Sequence, residues 1–524
     1  MPDWWQDAVG YEVYIRSFAD GDGDGIGDLQ GLRRRLGHLA DLGVDVVWIT
    51  PFYPSPQADH GYDVADYLDV DPSFGTLEDL DAVVAEAHGL GLKVMIDLVP
   101  NHTSDRHPWF LDARASHHAA HRDWYVWRDP APGGGPPNNW VSHFGGPAWT
   151  FDEATGQYYL HLFLPEQPDL NWAHPEVRAA FDRILEFWLD RGVDGFRIDV
   201  AHSLVKDPEL RDNPLLGDAP APDATPQEVF AAYDHRHDLD QPGVVDIYRR
   251  WGEIARRHDA VLLGEVYLLD PARLSRYVDD ALDSAFCFPA LKTGWDADEI
   301  RRMLAACVAA GASRMSWPLS SHDDPRAASR FGGGARGSRR ALAYLGLLAG
   351  LPGVPFLLQG DELGLDDGDT AGANHDPIAV RNPGAVGRDG SRTPMLWEPG
   401  EGFGFTTGEP WLPFGTNRAD EHTAAVQAAD PDSHLNRVRR LLDARREVAA
   451  VAQGAEVRWL EAGEAVIAFQ RGPVVVACHL GEGTARVALP AAGGLLHATA
   501  DGAAVDDATL RLPSDATAYV RLPG

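Results

Sequence analysis

The chain has 524 residues, too many for one ordinary domain, so we expect two or three domains. It carries 45 basic and 79 acidic residues, and the resulting charge of −34 argues against nucleic acid and anionic membranes as partners. The same charge favours a neutral substrate, because it would repel an anionic one.

The cysteines and the N-terminal residues bear on the cellular compartment. Cys287, Cys307 and Cys478 are scattered, so they form neither a disulfide framework nor a CxxC metal site. The segment MPDWWQDAVGYEVY lacks the basic and apolar regions of a signal peptide, and no apolar run reaches the length of a membrane span. We therefore predict a cytoplasmic protein without a membrane partner, and the sequence makes no prediction of its oligomeric state.

Eight apolar runs along the chain are typical of buried parallel strands. In chain order they are residues 9–18, VDVVWIT (44–50), LKVMIDLV (92–99), GFRIDVA (195–201), VLLGEVY (261–267), SAFCF (284–288), SRMSWPLS (313–320) and PFLLQG (355–360). Helical patterns such as EDLDAVVAEAHGLG lie between most of them. Eight such units predict an α/β protein with a (β/α)8 TIM barrel.

The barrel pattern is interrupted by an inserted segment and by a long loop, residues 208–243, after the fourth strand, and it ends near residue 450. Residues 101–175, rich in Trp, Pro, His and Gly, are predicted to form an inserted subdomain, domain B, after the third strand. The barrel, domain A, would then comprise residues 1–100 and 176–450. From residue 451 to 524, short alternating runs such as AVIAFQ and TAYVRL predict a C-terminal antiparallel domain of β-sandwich type.

The stretch DGDGDGIGD follows the first predicted strand and offers oxygen atoms at alternate positions. These are the carboxylates of Asp20, Asp22, Asp24 and Asp28 and the carbonyl of Ile26. Such ligands suit a hard cation, Ca²⁺ or Mg²⁺. An EF-hand would need a bidentate Glu where Gly31 stands, and a helix where a strand is predicted. A flexible acidic turn is the alternative to a metal site.

Acidic residues stand at the ends of four of the predicted strands, where TIM barrels carry their active sites. They are Asp97, Asp199, Glu265 and Asp323. Two carboxylates across a small site suggest glycoside hydrolysis. Arg197 lies two residues before Asp199, so on a strand both face the same side, and a guanidinium favours an ionised carboxylate.

Two histidines, His102 and His322, adjoin the same rim. Beside carboxylates they raise the possibility of a metal centre, but no HExxH or similar spacing appears. We therefore expect them to form hydrogen bonds with a sugar.

Several motifs together resemble the α-amylase family, glycoside hydrolase family 13. DLVPNH (97–102), GFRIDVA (195–201), GEVY (264–267) and SHDD (321–324) are similar to its four signature regions, in that order. QPDLNW (167–172) resembles the motif at the end of the inserted domain. DHGYDVADY (59–67) and GRDGSRTPMLW (387–397) are similar to the α-glucosidase and oligo-1,6-glucosidase branch.

The resemblance implies roles for the rim residues. Asp199 matches the nucleophile, Glu265 the acid/base, and Asp323 a third carboxylate that binds ring hydroxyls. Arg197, His102 and His322 match groups around the glucose on the non-reducing side of the cut, and Tyr62 matches the platform beneath it. The loop Asp20, Asp22, Asp24, Ile26 and Asp28 matches a metal site whose role we expect to be structural.

The resemblance also implies a closed pocket. Asp59 matches one half of an Asp–Arg pair behind the bound glucose. The arginine lies within GRDGSRTPMLW, which offers Arg388 and Arg392, and we favour Arg392. One departure is Ser321, where the family usually has Asn.

The combined prediction is a retaining exo-acting α-glucosidase that hydrolyses maltose and short α-glucosides, with some transglucosylation. Alternatives are an oligo-1,6-glucosidase, a transglucosylase or isomerase of trehalose-synthase type, and a non-catalytic family member. In this branch, a valine at position 200 accompanies a preference for α-1,6 linkages. Its neighbours Ala201 and His202 differ from the usual oligo-1,6-glucosidase sequence, and this difference favours α-1,4 linkages. The only expected cofactor is the structural Ca²⁺ or Mg²⁺.

Overall fold

The structure is a computed structural model that describes residues 3–523. Eight of its strands run parallel and close into a barrel. Numbered in chain order, they are β1 (Gly10–Val13), β2 (Val46–Ile49), β3 (Lys93–Leu98), β7 (Gly195–Ile198), β8 (Val261–Gly264), β9 (Ser284–Phe286), β10 (Met315–Pro318) and β11 (Val354–Leu358). Seven lie within the predicted runs and β11 begins one residue before its run, which confirms the TIM barrel.

Helices surround the barrel and fill its connections. In chain order they are α1 (Leu29–Leu42), α2 (Leu77–Gly89), α3 (Pro108–Ala113), α4 (Pro175–Asp190), α5 (Pro226–Ala231), α6 (Val244–Arg257), α7 (Pro271–Asp280), α8 (Pro289–Lys292), α9 (Ala297–Ala309), α10 (Ala327–Arg330), α11 (Gly334–Ala349), α12 (Pro377–Arg381), α13 (Ala424–Ala429) and α14 (His434–Ala452). Local sequence sets several helix starts: Thr76 and Asp79 form a capping box at the start of α2. None of the helices in residues 3–523 is both long enough and apolar enough to cross a membrane.

The barrel interior is filled by side chains of alternate strand residues. Trp48 of β2, Met95 of β3, Leu263 of β8 and Phe356 of β11 belong to one buried apolar cluster. Inward residues of neighbouring strands meet in this way because side chains alternate along a strand. The barrel is therefore packed inside, because these side chains fill its interior.

The segment between β3 and α4 carries a small antiparallel sheet in the order β4 (Trp127–Arg128), β6 (Gln157–Leu160) and β5 (Trp149–Asp152). Trp140, Trp149 and Leu160 pack against Leu210 and Leu239 from the long loop after β7. The inserted segment and this loop therefore share an apolar core and flank the same end of the barrel.

The C-terminal residues form two antiparallel sheets. One has the order β12 (Val457–Leu460), β13 (Val466–Arg471), β14 (Val474–His479), β19 (Ala516–Arg521), β16 (Gly494–Ala498), and the other has β15 (Thr484–Ala488), β18 (Thr509–Pro513), β17 (Ala504–Asp506). Val475, Val487, Leu512 and Val520 share one core between the sheets. This confirms the predicted antiparallel β-domain, which docks on α11 through a hydrogen bond of 2.7 Å from Tyr519 Oη to the Gly346 carbonyl.

Arg445 of α14 is 1% exposed and pairs with no carboxylate among residues 3–523. Its guanidinium donates to the carbonyls of Ala349 (2.8 Å) and Gly353 (2.6 Å), which lie at the end of α11 and just before β11. Burial lowers the pKa of Arg445 to about 10, so the side chain stays charged at neutral pH. The arginine thus satisfies backbone carbonyls at a turn that connects a barrel helix to a barrel strand.

We predict that Arg445→Met lowers the free energy of unfolding by about 3 kcal/mol, because buried carbonyls lose their hydrogen-bond donors. Urea unfolding followed by tryptophan fluorescence measures this. Arg440→Met on the exposed side of the same helix is the matched control and should change stability by less than about 0.5 kcal/mol. Equal unfolding midpoints for the two variants would contradict the role given to Arg445.

Candidate active site

One guanidinium binds three carboxylates at the carboxyl ends of the central strands. Arg197 Nη1 lies 2.9 Å from Asp97 Oδ1 and 2.7 Å from Asp199 Oδ1, and Arg197 Nη2 lies 3.0 Å from Glu265 Oε2. Strand pairing explains the contacts, because β7 lies between β3 and β8, and Arg197 is the direct partner of Asp97. Three of the four predicted rim acids therefore meet at one cation.

This group contains three carboxylates but only one guanidinium. Burial raises the pKa of Asp199 well above its usual range, Arg197 opposes the rise, and the carboxylates of Glu265 and Asp97 add to it. Burial also raises the pKa of Asp97 to about 6. The expected ion pair of Arg197 with Asp199 is present, but it is shared among three anions, so burial outweighs it. Three carboxylates at one guanidinium therefore leave the pKa values of Asp97 and Asp199 raised rather than lowered.

The backbone at Val200 is strained beside these carboxylates. Val200 has φ +44°, which β-branched residues rarely adopt, and its N–H donates to Glu265 Oε2 at 2.9 Å. Glu265 is thus held by a main-chain donor as well as by Arg197.

A second set of contacts surrounds Tyr62 and His322. Tyr62 Oη donates to Asp97 Oδ2 at 3.0 Å and lies 3.0 Å from His322 Nε2. The His322 ring stacks between Tyr62 and Tyr14, at centroid distances of 5.6 and 5.4 Å, and its Nδ1 pairs with Glu12. His322 is thus held by a contact at each ring nitrogen and by a stacked tyrosine ring on either side.

His102 connects the rim to the inserted segment. Its Nε2 lies 3.1 Å from the Tyr62 carbonyl and 3.1 Å from Gln167 Nε2. Gln167 Nε2 also donates to Asp59 Oδ2 at 3.2 Å. Residues from the loop after β2 and from the segment between β3 and α4 therefore form one continuous wall.

The preference for Arg392 as the partner of Asp59 was wrong. Arg388 Nη2 lies 3.0 Å from Asp59 Oδ1, and Arg388 Nη1 lies 2.9 Å from Asp323 Oδ1. Arg392 ends the short 3-10 helix Asp389–Arg392, where it donates to the His322 carbonyl and to Asp323 Oδ1, each at 2.8 Å. Arg392 therefore binds Asp323 and the His322 carbonyl, whereas Arg388, just before that helix, binds Asp59.

Asp323 is surrounded by cations, in contrast to Asp199. Burial alone would raise the pKa of Asp323, but His322, Arg388 and Arg392 outweigh it and hold the pKa far below its usual range. Asp323 is therefore ionised at neutral pH.

The acidic loop after β1 gathers three of its four aspartates. Carboxylate oxygens of Asp20, Asp22 and Asp28 lie within 4.8 Å of one another. Asp24 lies outside this group, and its carboxylate accepts the Ile26 N–H at 2.8 Å. Asp20 and Asp28 also accept backbone N–H groups, and Asp28 caps α1. The three gathered carboxylates are hard oxygen donors and fit Ca²⁺ or Mg²⁺.

A cleft of about 770 Å³ opens from the rim. Its lining includes Glu265, Asp323 and Arg388, which we call the inner part. It also includes Gln227 of α5 and the exposed Val386 of the loop after β11, which we call the outer part. Glu265 and Asp323, two of the four predicted rim acids, thus face a space that can hold a small molecule.

Comparison with known proteins decides the family. The catalytic-domain profile of alpha-amylase matches residues 12–454. The chain belongs to the alpha-amylase family.

Relatives within this family are similar over most of their length. A probable alpha-glucosidase of Rhizobium meliloti (strain 1021) is 42% identical, over 90% of this chain and 87% of that protein. An oligo-1,6-glucosidase of Parageobacillus thermoglucosidasius is 37% identical, over 86% of this chain and 85% of that protein. The crystal structure of the alpha-glucosyl transfer enzyme XgtA superimposes with a TM-score of 0.94 at 38% identity and covers 100% of both chains.

Ser321, which stands where the alpha-amylase family usually has Asn, contacts the backbone of Asp323. Its hydroxyl oxygen accepts the Asp323 N–H at 3.1 Å, so the shorter side chain still orients Asp323.

Sequence reasoning missed three residues that hold the site together. Asp376 binds Arg388 with both oxygens at 2.9 Å, Glu12 pairs with His322, and Gln167 links His102 to Asp59. Glu12 could have been found, because it is a charged residue inside a buried strand, and Gln167 belongs to the QPDLNW motif. No sequence signal pointed to Asp376.

Proposed function

We propose that the protein is a retaining, exo-acting α-glucosidase. It releases one glucose at a time from the non-reducing ends of maltose and short α-glucosides, with some transfer of glucose to other sugars. The observation that carries the proposal is that Arg197 binds both Asp199 and Glu265. Its guanidinium nitrogens lie 2.7 Å from Asp199 Oδ1 and 3.0 Å from Glu265 Oε2. Relatives named alpha-glucosidase and oligo-1,6-glucosidase support it.

In the proposed reaction, Asp199 attacks C1 of the terminal glucose. Glu265 gives a proton to the glycosidic oxygen as the C1–O bond breaks, which leaves a glucosyl ester on Asp199. Glu265 then takes a proton from water, the water oxygen bonds to C1, and the ester bond to Asp199 breaks. The negative charge of Asp323, held by Arg388 and Arg392, is available to bind ring hydroxyls.

The contact between Asp59 and Arg388 supports exo action. A salt bridge across the barrel mouth, braced by Asp376 behind Arg388, forms a wall through which a longer chain would not pass. Hydroxyls of a terminal glucose could bind to the same charged groups.

Cleavage of α-1,6 linkages is the second candidate, because Val200 stands next to Asp199 and one relative is named oligo-1,6-glucosidase. Transfer to a sugar acceptor is the third, supported by the likeness to an alpha-glucosyl transfer enzyme. A non-catalytic role is disfavoured, because Asp199, Glu265 and Asp323 are all present at the rim. A cytoplasmic location stays a prediction.

We further propose that Asp20, Asp22 and Asp28 bind a structural Ca²⁺ or Mg²⁺. The cation would offset the repulsion among their carboxylates, which lie within 4.8 Å of one another. Since the loop connects β1 to the start of α1, the bound cation would stabilise the barrel rather than take part in the chemistry.

We predict that Glu265→Gln slows hydrolysis of maltose by about 10²–10⁴-fold, because the leaving oxygen loses its proton donor. An aryl α-glucoside with an acidic leaving group should be slowed much less, because it needs little protonation. Steady-state kinetics on both substrates measure the difference. Asp199→Asn is the control and should abolish cleavage of both substrates. Maltose cleavage by Glu265→Gln at the wild-type rate would refute the role of Glu265 as proton donor.

We predict that Arg388→Ala lowers kcat/KM for maltose by about 100-fold or more, because removing one partner of a buried ion pair is strongly unfavourable. Arg381→Ala is the matched control, since Arg381, the last residue of α12 in the same connection after β11, forms a more exposed pair with Glu166 of the inserted segment. Wild-type protein should leave cyclodextrins, which have no chain end, uncut. Rapid cleavage of cyclodextrin would mean that the pocket is open.

We predict that EDTA lowers the melting temperature of the wild-type protein, because a cation bound only to the native state stabilises it by mass action. Differential scanning fluorimetry and elemental analysis measure the shift and the metal content. Asp22→Asn should reduce the shift, whereas Asp24→Asn should retain most of it. An unchanged melting curve with no metal detected would favour the acidic turn.

A further inference from the structure

The outer part of the cleft has an apolar wall on the loop after β11. Val386 is 88% exposed and lines the cleft beside Ala385 and Ile378. A single exposed valine needs no explanation, but this one adjoins other apolar residues in the cavity that contains Glu265 and Asp323. Its side chain is therefore available to a ligand that extends outward from the reacting carboxylates.

An aromatic pair lines the cleft at the ends of β8 and β9. Tyr267 is 39% exposed, and its ring centroid lies 4.8 Å from that of the buried Phe288. Both line the same cleft as Val386. Apolar surface from two different loops thus contributes to the space next to Glu265.

The charged residues of the cleft disfavour an anionic ligand. Among the described residues that line it, the carboxylates are Glu265, Asp323, Asp324, Asp367, Asp369 and Asp389, and the Lys and Arg side chains are Lys292 and Arg388. Lys292 is paired with Asp324, and Arg388 binds Asp59, Asp323 and Asp376. Both cations are already neutralised, so the remaining field repels a phosphate or carboxylate.

We propose that the outer cleft binds the aglycone of the substrate and selects uncharged alkyl or aryl aglycones over sugar phosphates. Contact with Val386 favours the apolar aglycones, and the carboxylates of the cleft repel the phosphates. The proposal rests on the proposed function, because Glu265 must face the glycosidic oxygen for the aglycone to lie here. Apolar atoms of the aglycone leave water when they contact Val386, and that contact is a favourable one. Val386 is a specificity residue in this scheme and takes no part in bond breaking.

The test uses ethyl, butyl and hexyl α-glucosides, whose leaving groups differ little in acidity, so that only apolar contact changes along the series. In the wild-type protein kcat/KM should rise by about twofold to fourfold for each CH₂ that becomes buried. Val386→Asp should lose most of the rise, and melting temperatures should match. Val380→Asp is the control, because Val380 is 60% exposed in α12 but lies outside the set that lines the cleft.

The charge part of the proposal is tested with maltose 1-phosphate, which carries its phosphate on the aglycone glucose. Its kcat/KM should be at least about tenfold below that of maltose, because like charges repel across the site. A flat alkyl series, an unchanged rise in Val386→Asp, or equal rates for the two maltose compounds would overturn the proposal alone. Failure to release glucose from any substrate would overturn the proposed function and this inference together.

Discussion

The Arg197 guanidinium is the interaction on which the candidate site depends. It is the only positive charge in contact with Asp97, Asp199 and Glu265 among the ion pairs of the described residues. Buried carboxylates are tolerated only when they are paired and hydrogen-bonded, so without this arginine the three could not remain together inside the barrel mouth. Its position follows from strand order: β7 has β3 on one side and β8 on the other, so one side chain can reach both.

A second charge network, around Asp323, has a different origin. Asp323, Asp59, Asp376, Arg388 and Arg392 all lie in the connections that follow the strands, and ion pairs rather than strand pairing bring them together. The two networks also differ in electrostatics. Arg197 is shared among three anions, whereas Asp323 is surrounded by cations and stays ionised. Cations thus hold the pKa of Asp323 far below its usual range, whereas burial raises the pKa values of Asp97 and Asp199.

The cleft changes character from its inner to its outer end. The inner part is a dense set of charged and aromatic groups held by the barrel, and its geometry suits one sugar ring bound through its hydroxyls. The outer part is built from the loops after β8, β9 and β11 and offers Tyr267, Phe288 and Val386. Tyr267, Phe288 and Val386 take no part in the ion pairs that hold Glu265 and Asp323. Under the proposed function, aglycone preference can therefore vary through these loop residues while the chemistry stays the same.

The sequence by itself determined the barrel, the C-terminal β-domain and the positions of the rim acids. Strand runs and the residues at their ends are local features, and the closed parallel barrel brings all the strand ends to one face. The tertiary structure alone decided that Arg388 rather than Arg392 meets Asp59, that Asp376 braces it, and that Asp24 stays apart from Asp20, Asp22 and Asp28. Both arginines lie within five residues of each other in GRDGSRTPMLW. Their direction depends on how a 3-10 helix in a long loop packs against distant residues, and no local pattern carries that information.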